Sequence, residues 1–238
     1  MPRLPCLTLS RCLAAFVLWS LAGPVAAQDQ IRLDVLFRGL TVAEITLAVR
    51  ENGATYALAG RVQATGLAAI FARVRFQMQA EGRMRGDVPV PRRYAEDVDT
   101  GRRASSVELS FAGAVPEILH QNPPPGPEAV PPGDAASTVD PLSALWRVVR
   151  GGAAPCDWVL PVYDGARRSQ LGLGPATGSG PLSCAGRYTR IGGFPAADLA
   201  ERREFPFTAT YEDRGGAFVL TEVEATSLLG PIRIVRRD

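Results

Sequence analysis

"TVAEITLAVRENGATYALAGRV", residues 41–62, decides the fold. Side chains on a β-strand alternate between two faces, and here apolar residues alternate on both sides of Asn52-Gly53. A two-residue turn at Asn52-Gly53 accommodates the positive φ angles that tight hairpins need. That turn sets Val49 opposite Tyr56, Leu47 opposite Leu58 and Ala43 opposite Val62, all on one face. Turn chemistry and pattern agree on an antiparallel hairpin with one apolar side.

The same period extends in both directions. Upstream, "QIRLDVLFRG" puts Ile31, Leu33, Val35 and Phe37 on one face. Downstream, "TGLAAIFAR" breaks the alternation and predicts a short helical turn with Leu67, Ile70 and Phe71 packed inward. Strand pattern resumes at Val74, Phe76, Met78 and Ala80. "PRRYAEDVDTGRRASSVELSFAG" predicts a second hairpin, turning at Asp99-Thr100-Gly101, with Val107, Leu109 and Phe111 on its strongest face.

"QNPPPGPEAVPPGDAAS", residues 121–137, holds six prolines. Proline lacks the N–H that a central ladder uses, so this stretch is a surface connection. "VDPLSALWRVVRGG" predicts the one main helix, at about 141–150, with Asp140 as N-cap, Pro141 at the first position and Gly151 at the C-terminal cap. Leu142, Leu145, Trp146 and Val149 form one stripe at helical spacing, suited to core contact. Strand patterns then return through "WVLPVYDG", "SQLGL", "CAGRYTRI", "FPFTATYE", "AFVLTEVEA" and "PIRIVRR", with a turn at Gly215-Gly216 or one residue earlier. The expected fold is mainly β: an antiparallel meander of about ten strands, curled into a half-barrel or barrel, with one main helix.

Residues 1–27 read as an export signal. Arg3 and Arg11 form a basic start, "CLAAFVLWSLAG" an apolar core too short for a ~30 Å hydrocarbon layer, and Val25 and Ala27 the small residues before a cut at Gln28. Residues 28–238 then form one β-rich domain without a transmembrane span, and the expected location is the periplasm. Every basic residue is Arg; two of the 26 lie in the signal, leaving 24 against 24 acids. The arginine pairs are scattered among those acids, which argues against a nucleic-acid track.

Beyond the signal the only cysteines are Cys156 and Cys184. In an oxidising compartment such a pair predicts a disulfide. Closing a loop of about 29 residues stabilises the fold by roughly 3–4 kcal/mol on the chain-entropy account.

Catalytic constellations are hard to assemble. His120 is the one histidine, beside the proline-rich stretch and without a Gly-x-Ser-x-Gly elbow. One His and two bridged cysteines do not make a zinc site, and Glu96, Asp97 and Asp99 lack calcium-loop spacing. "GLGPATGSG" has the wrong spacing for a phosphate loop and precedes a strand. Asp140 and Asp164 sit at element boundaries, where a helix cap and a turn with Gly165 account for them. No metal or cofactor is expected.

"TVAEITLAV", "QATGLAAIFARVRFQMQAEG", "PRRYAED", "VDPLSAL", "VYDGARRSQL" and "LLGPIRIV" follow one another in an order that resembles the exported bacterial family known as domain of unknown function 3108, in its alphaproteobacterial form. The likeness spans nearly all of residues 28–238, and "VDPLSAL" and the "YDG-x-RR" segment are its most distinctive parts. It implies a periplasmic β-rich protein and no assigned catalytic residues. A curled sheet with a helix in its mouth also resembles the half-barrels of lipoprotein carriers, although this chain has one clear helix rather than several. In that light Leu142, Leu145, Trp146 and Val149 would line a lid over a ligand cavity. Asp164 would take hydrogen bonds from backbone or from Arg167 and Arg168.

The expected function is a non-enzymatic envelope protein that binds a lipid or other hydrophobic molecule in its curled sheet. The alternatives are an interaction module for another envelope protein and, third, a hydrolase using two carboxylates. A solidly packed interior would count against the first, and the third needs two buried acids with raised pKa on one cleft.

Overall fold

A computed structural model describes residues 29–66, 69, 74–101 and 103–237. The expected export signal and the inward packing of Leu67, Ile70 and Phe71 lie outside the described residues.

Among the described residues thirteen strands form one antiparallel sheet. They are β1 (Asp29–Phe37), β2 (Leu40–Asn52), β3 (Thr55–Ala64), β4 (Arg75–Arg85), β5 (Val88–Asp99), β6 (Ala104–Ser110) and β7 (Glu117–Asn122), then β8 (Trp158–Tyr163), β9 (Arg168–Thr177), β10 (Leu182–Gly192), β11 (Glu204–Asp213), β12 (Phe218–Ser227) and β13 (Gly230–Arg237). The first seven step outward from β1 to one edge at β7. The chain then crosses to the opposite edge, β8, and steps back until β13 pairs with β1. The sheet curls without closing.

The crossing from edge to edge contains helix α1 (Pro141–Arg150), which occupies the concave side. Asp140 caps it by accepting from the Ser143 N–H at 2.8 Å, and Gly151 ends it. The helix is buried nearly all round rather than on one stripe: Ser143, Ala144, Arg147 and Val148 are buried beside Leu142, Trp146 and Val149, while Leu145 is half-buried. The Arg147 guanidinium is satisfied inside by the carbonyls of Gly151 (3.0 Å) and Ala154 (2.8 Å) and lies over the Trp158 ring. Tyr94, Tyr163 and Tyr211 fill the remaining space with no exposed surface. Tyr211 donates to the Val148 carbonyl at 2.9 Å, meeting one of the acceptors that every helix end leaves open.

Four expectations change. In the 41–62 hairpin Asn52 pairs with Thr55, so the turn is Gly53-Ala54, and Val49 faces Leu58 rather than Tyr56. Only Gly53 of the two takes positive φ, as a turn with glycine first requires. The faces survive, because pairings that move by two residues keep side-chain parity.

The strands number thirteen rather than about ten. β7 was not expected, and it takes Gln121 and Asn122 from the proline-rich connection. His120 therefore stands on an edge strand, exposed, with Nε2 3.1 Å from Ser106 Oγ. A second helix, α2 (Ala196–Glu201), lies between β10 and β11 and buries no residue. The turn expected at Asp99-Thr100-Gly101 follows β5, which ends at Asp99, and the Gly215-Gly216 turn and the alternating apolar faces match the sequence reading.

Candidate functional site

Because the sheet curls, its two edges approach each other, and the turn after β8 lies against β6. "YDGARR" is that turn. Asp164 Oδ1 accepts from the backbone N–H groups of Ala166 (3.0 Å) and Arg167 (2.7 Å), and the Asp164 N–H donates to the Arg167 carbonyl. This is the local bonding that suits Asp to turns. Gly165 sits at φ +97°, and a Cβ there would stand 2.7 Å from Val107 Cγ2. Only glycine permits both the conformation and the contact with β6.

The proline-rich connection fills the gap between the edges. Val130 N–H donates to the Ala166 carbonyl at 2.8 Å. The Tyr163 hydroxyl meets the carbonyls of Gly165 at 2.9 Å and Val130 at 3.0 Å. Farther along, Val139 pairs with Val162 and covers part of the β8 edge. The distinctive motif is thus a latch that ties β8, β6 and the crossing chain together.

A cavity of ≈ 240 Å³ opens at this latch, lined among others by Glu96, Arg103, Gln121, Asn122, Asp164 and Arg167. Glu96 lies in β5 between Tyr94 and Val98 on the inward face, where an acid is unusual. Burial pushes its carboxyl up; the Tyr94 hydroxyl, donating at 2.7 Å, and the Arg167 and Arg103 charges oppose that shift, and Asp164 adds to it. Gln121 Oε1 is buried without a hydrogen-bond partner. Sequence reasoning noticed Glu96 only as a neighbour of Asp97 and Asp99. Its signal was position, an acid at an inward place in an alternating strand. Asp97 and Asp99 lie beside Arg75, each 4.0 Å away.

Of the other expected residues Arg167 lines this cavity and the rest lie elsewhere. Arg167 stays near Asp164 (3.9 Å) and lies over the Phe194 ring, while Arg168 opens β9 opposite Tyr163. Asp140 is fully buried in the helix cap, where burial pushes its carboxyl up to about 6 against the hydrogen bonds from Ser143. It does not line the Glu96 cavity, so the two acids with raised pKa do not share a cleft. Leu142, Leu145, Trp146 and Val149 line neither this cavity nor those of ≈ 1240, 700, 280 and 200 Å³. Cys156 and Cys184 form the expected disulfide, Cα atoms 5.8 Å apart. It joins the residues before β8 to β10 across the intervening β9.

The family profile described as "Protein of unknown function (DUF3108)" matches residues 32–191. The chain belongs to that family. The match takes in the latch, α1 and both cysteines and stops in β10, so β11–β13, which join the two halves of the sheet, lie beyond it. No curated protein matches the chain. Among solved structures the chain is similar to the crystal structure of a β-barrel-like protein of domain of unknown function DUF1849 from Brucella abortus, at 8% identity and a TM-score of 0.47, covering 90% of this chain and 99% of that one. Among the described residues no helix is long and apolar enough to cross a membrane.

Proposed function

We propose that the protein is an exported, non-enzymatic envelope protein that works through its outer surface, as an interaction module for another envelope protein. The observation that carries this reading is the filled concave side. Helix α1 and three fully buried tyrosines occupy the space in which a carrier would hold its ligand. A lid needs a cavity beneath it, and the α1 stripe packs on sheet side chains instead.

An open groove of ≈ 1240 Å³ on the outer face of β8–β13 supports the same reading. Register places it there. Gly172 pairs with Arg187, Ala185 with Thr208, Thr208 with Glu224 and Glu224 with Arg233, all on the face opposite Cys184 and Ala209. Exposed Val159 and the backs of Pro206 and Pro231 contribute apolar wall, and charged pairs such as Arg187–Glu204 (2.9 Å) stand beside it. Apolar wall mixed with charged and polar side chains is in keeping with a non-obligate protein-binding surface. The carboxylate-hydrolase reading lacks its paired acids.

Native mass spectrometry of the chain, purified from a periplasmic extract without detergent, tests the proposal. The expected species starts at Gln28, weighs two hydrogens less than the reduced chain and carries no lipid. A reproducible adduct of lipid mass, lost on organic extraction, would return the reading to a carrier. A chain that keeps residues 1–27 would overturn cleavage at Ala27.

A further inference from the structure

We propose that the cavity beside the β2–β3 turn binds a phosphate-bearing ligand through Arg50, Arg83 and Arg92. This goes beyond the protein-binding reading and concerns the other half of the sheet. The cavity measures ≈ 700 Å³, and its polar lining is Arg50, Asn52, Thr55, Glu81, Arg83 and Arg92.

Register brings these side chains to one face. Arg50 pairs with Ala57 and Ala57 with Glu81; Asn52 pairs with Thr55 and Thr55 with Arg83. Directly paired residues project to the same side of an antiparallel sheet. That side is the outer one, since Val49, Leu58 and Ala80 take the inner face. Arg92 arrives by a bulge. Glu81 pairs with Arg93 and Gly82 with Pro91, so Arg92 is the extra residue in β5. Its carbonyl is fixed by the Phe111 N–H at 2.8 Å. Bulges re-aim side chains in this way, often at binding sites.

The cavity carries an excess of positive charge, three arginines against Glu81. Several arginines elsewhere find acids, as in Arg187–Glu204 and Arg237 with Asp34 and Glu44. Three acids near the cavity, Glu51, Asp87 and Glu108, are already engaged. Arg150 holds Glu51 at 3.1 Å and Asp87 at 3.0 Å, and Arg93 holds Glu108. Among the described residues the Arg50, Arg83 and Arg92 side chains have no ion pair or hydrogen bond, and Glu81 is the one acid in the lining.

Three guanidinium groups from three strands fit a phosphate monoester better than a carboxylate. The guanidinium fork matches phosphate oxygens two at a time. A carboxylate offers two oxygens and satisfies one fork, whereas a terminal phosphate offers three. The volume is in the range of pockets that hold whole small molecules, so the phosphate is carried on a larger body. That body is either a soluble phosphorylated sugar or a membrane phospholipid headgroup, and Asn52 and Thr55 are placed to meet its hydroxyls.

The test uses the mature full chain. Glucose 6-phosphate is titrated calorimetrically with glucose as control, and vesicles of phosphatidylcholine with and without phosphatidic acid are co-sedimented. Saturable binding of the sugar phosphate alone supports a soluble ligand, and retention on phosphatidic acid vesicles alone supports a headgroup. Binding in both arms supports the shared chemistry. The Arg83→Gln and Arg50→Gln variants are each expected to weaken the bound arm by at least about tenfold, the scale of losing charge-assisted hydrogen bonds. Arg61→Gln, on an exposed outer-face arginine outside the cavity, is expected to change it less than about twofold on the same scale. No binding in either arm overturns the proposal. So does an equal loss in Arg61→Gln, which would mean general attraction to arginine-rich surface.

Discussion

The hydroxyls of Tyr56 and Ser143 lie 2.7 Å apart, 87 positions apart in the chain, and tie β3 to the first turn of α1. Ser143 Oγ donates to Asp140 Oδ2 at 2.5 Å, so Tyr56 is the donor to Ser143. Tyr56→Phe removes one hydrogen bond and leaves the cap intact, at a cost of about 1 kcal/mol. Ser143→Ala strands both the Tyr56 hydroxyl and one Asp140 oxygen in the interior and costs more, roughly 2–4 kcal/mol. Urea unfolding of the two variants checks that order; equal costs would mean the hydroxyl chain is not cooperative with the cap.

Asp140 makes stability depend on pH. Its carboxyl rises from 3.8 to about 6 on folding, chiefly by burial. Between these values the folded chain holds a proton that the unfolded chain releases. The contribution is therefore fully present below about pH 4 and lost as pH rises toward about 6, by roughly 2–3 kcal/mol. Asp140→Asn is expected to flatten that decline in urea midpoints measured from about pH 4 to about pH 7. Glu96, also pushed up by burial, acts in the same direction. A decline unchanged in Asp140→Asn would place the titration elsewhere.

Such relationships were not legible in the sequence, although their parts were. The helix could be read because Asp140, Pro141 and Gly151 act within a few residues of one another. The curled β meander could be read because Ile31, Leu47, Ala80 and Leu109 keep their parity along their own strands. What failed were features with no local period. β7 hides behind a bulge at Leu119, the residue skipped between Ile118 and His120 in the pairing with β6. Helix α2 buries nothing and so has no apolar stripe to read. The turn at 53–54 depended on one backbone angle. The latch brings Glu96 to the Asp164 cavity only after the sheet curls, so the Glu96 signal could be seen without its partner.

Leu142 anchors α1 against the concave face and is fully buried. Leu142→Ala is expected to cost about 2–5 kcal/mol, the range for emptying a packed leucine site. Leu145, half-buried on the same stripe, should cost clearly less. Comparable losses at the two positions would mean that α1 moves to cover the gap.

The disulfide clamps a sheet edge. Cys184 has no exposed surface, and its bond reaches across β9 to the chain that leads into β8. Among the described residues β8 has β9 on one side and on the other only the short Val139 bridge, so edge fraying is the motion the bond opposes. The double variant Cys156→Ser/Cys184→Ser is expected to lose about 2–4 kcal/mol. Hydrogen exchange should quicken most in Trp158–Tyr163, while β2 and β3 keep their protection until global unfolding. Uniform quickening across the sheet would instead show that the bond acts only on the unfolded chain, as the chain-entropy account holds.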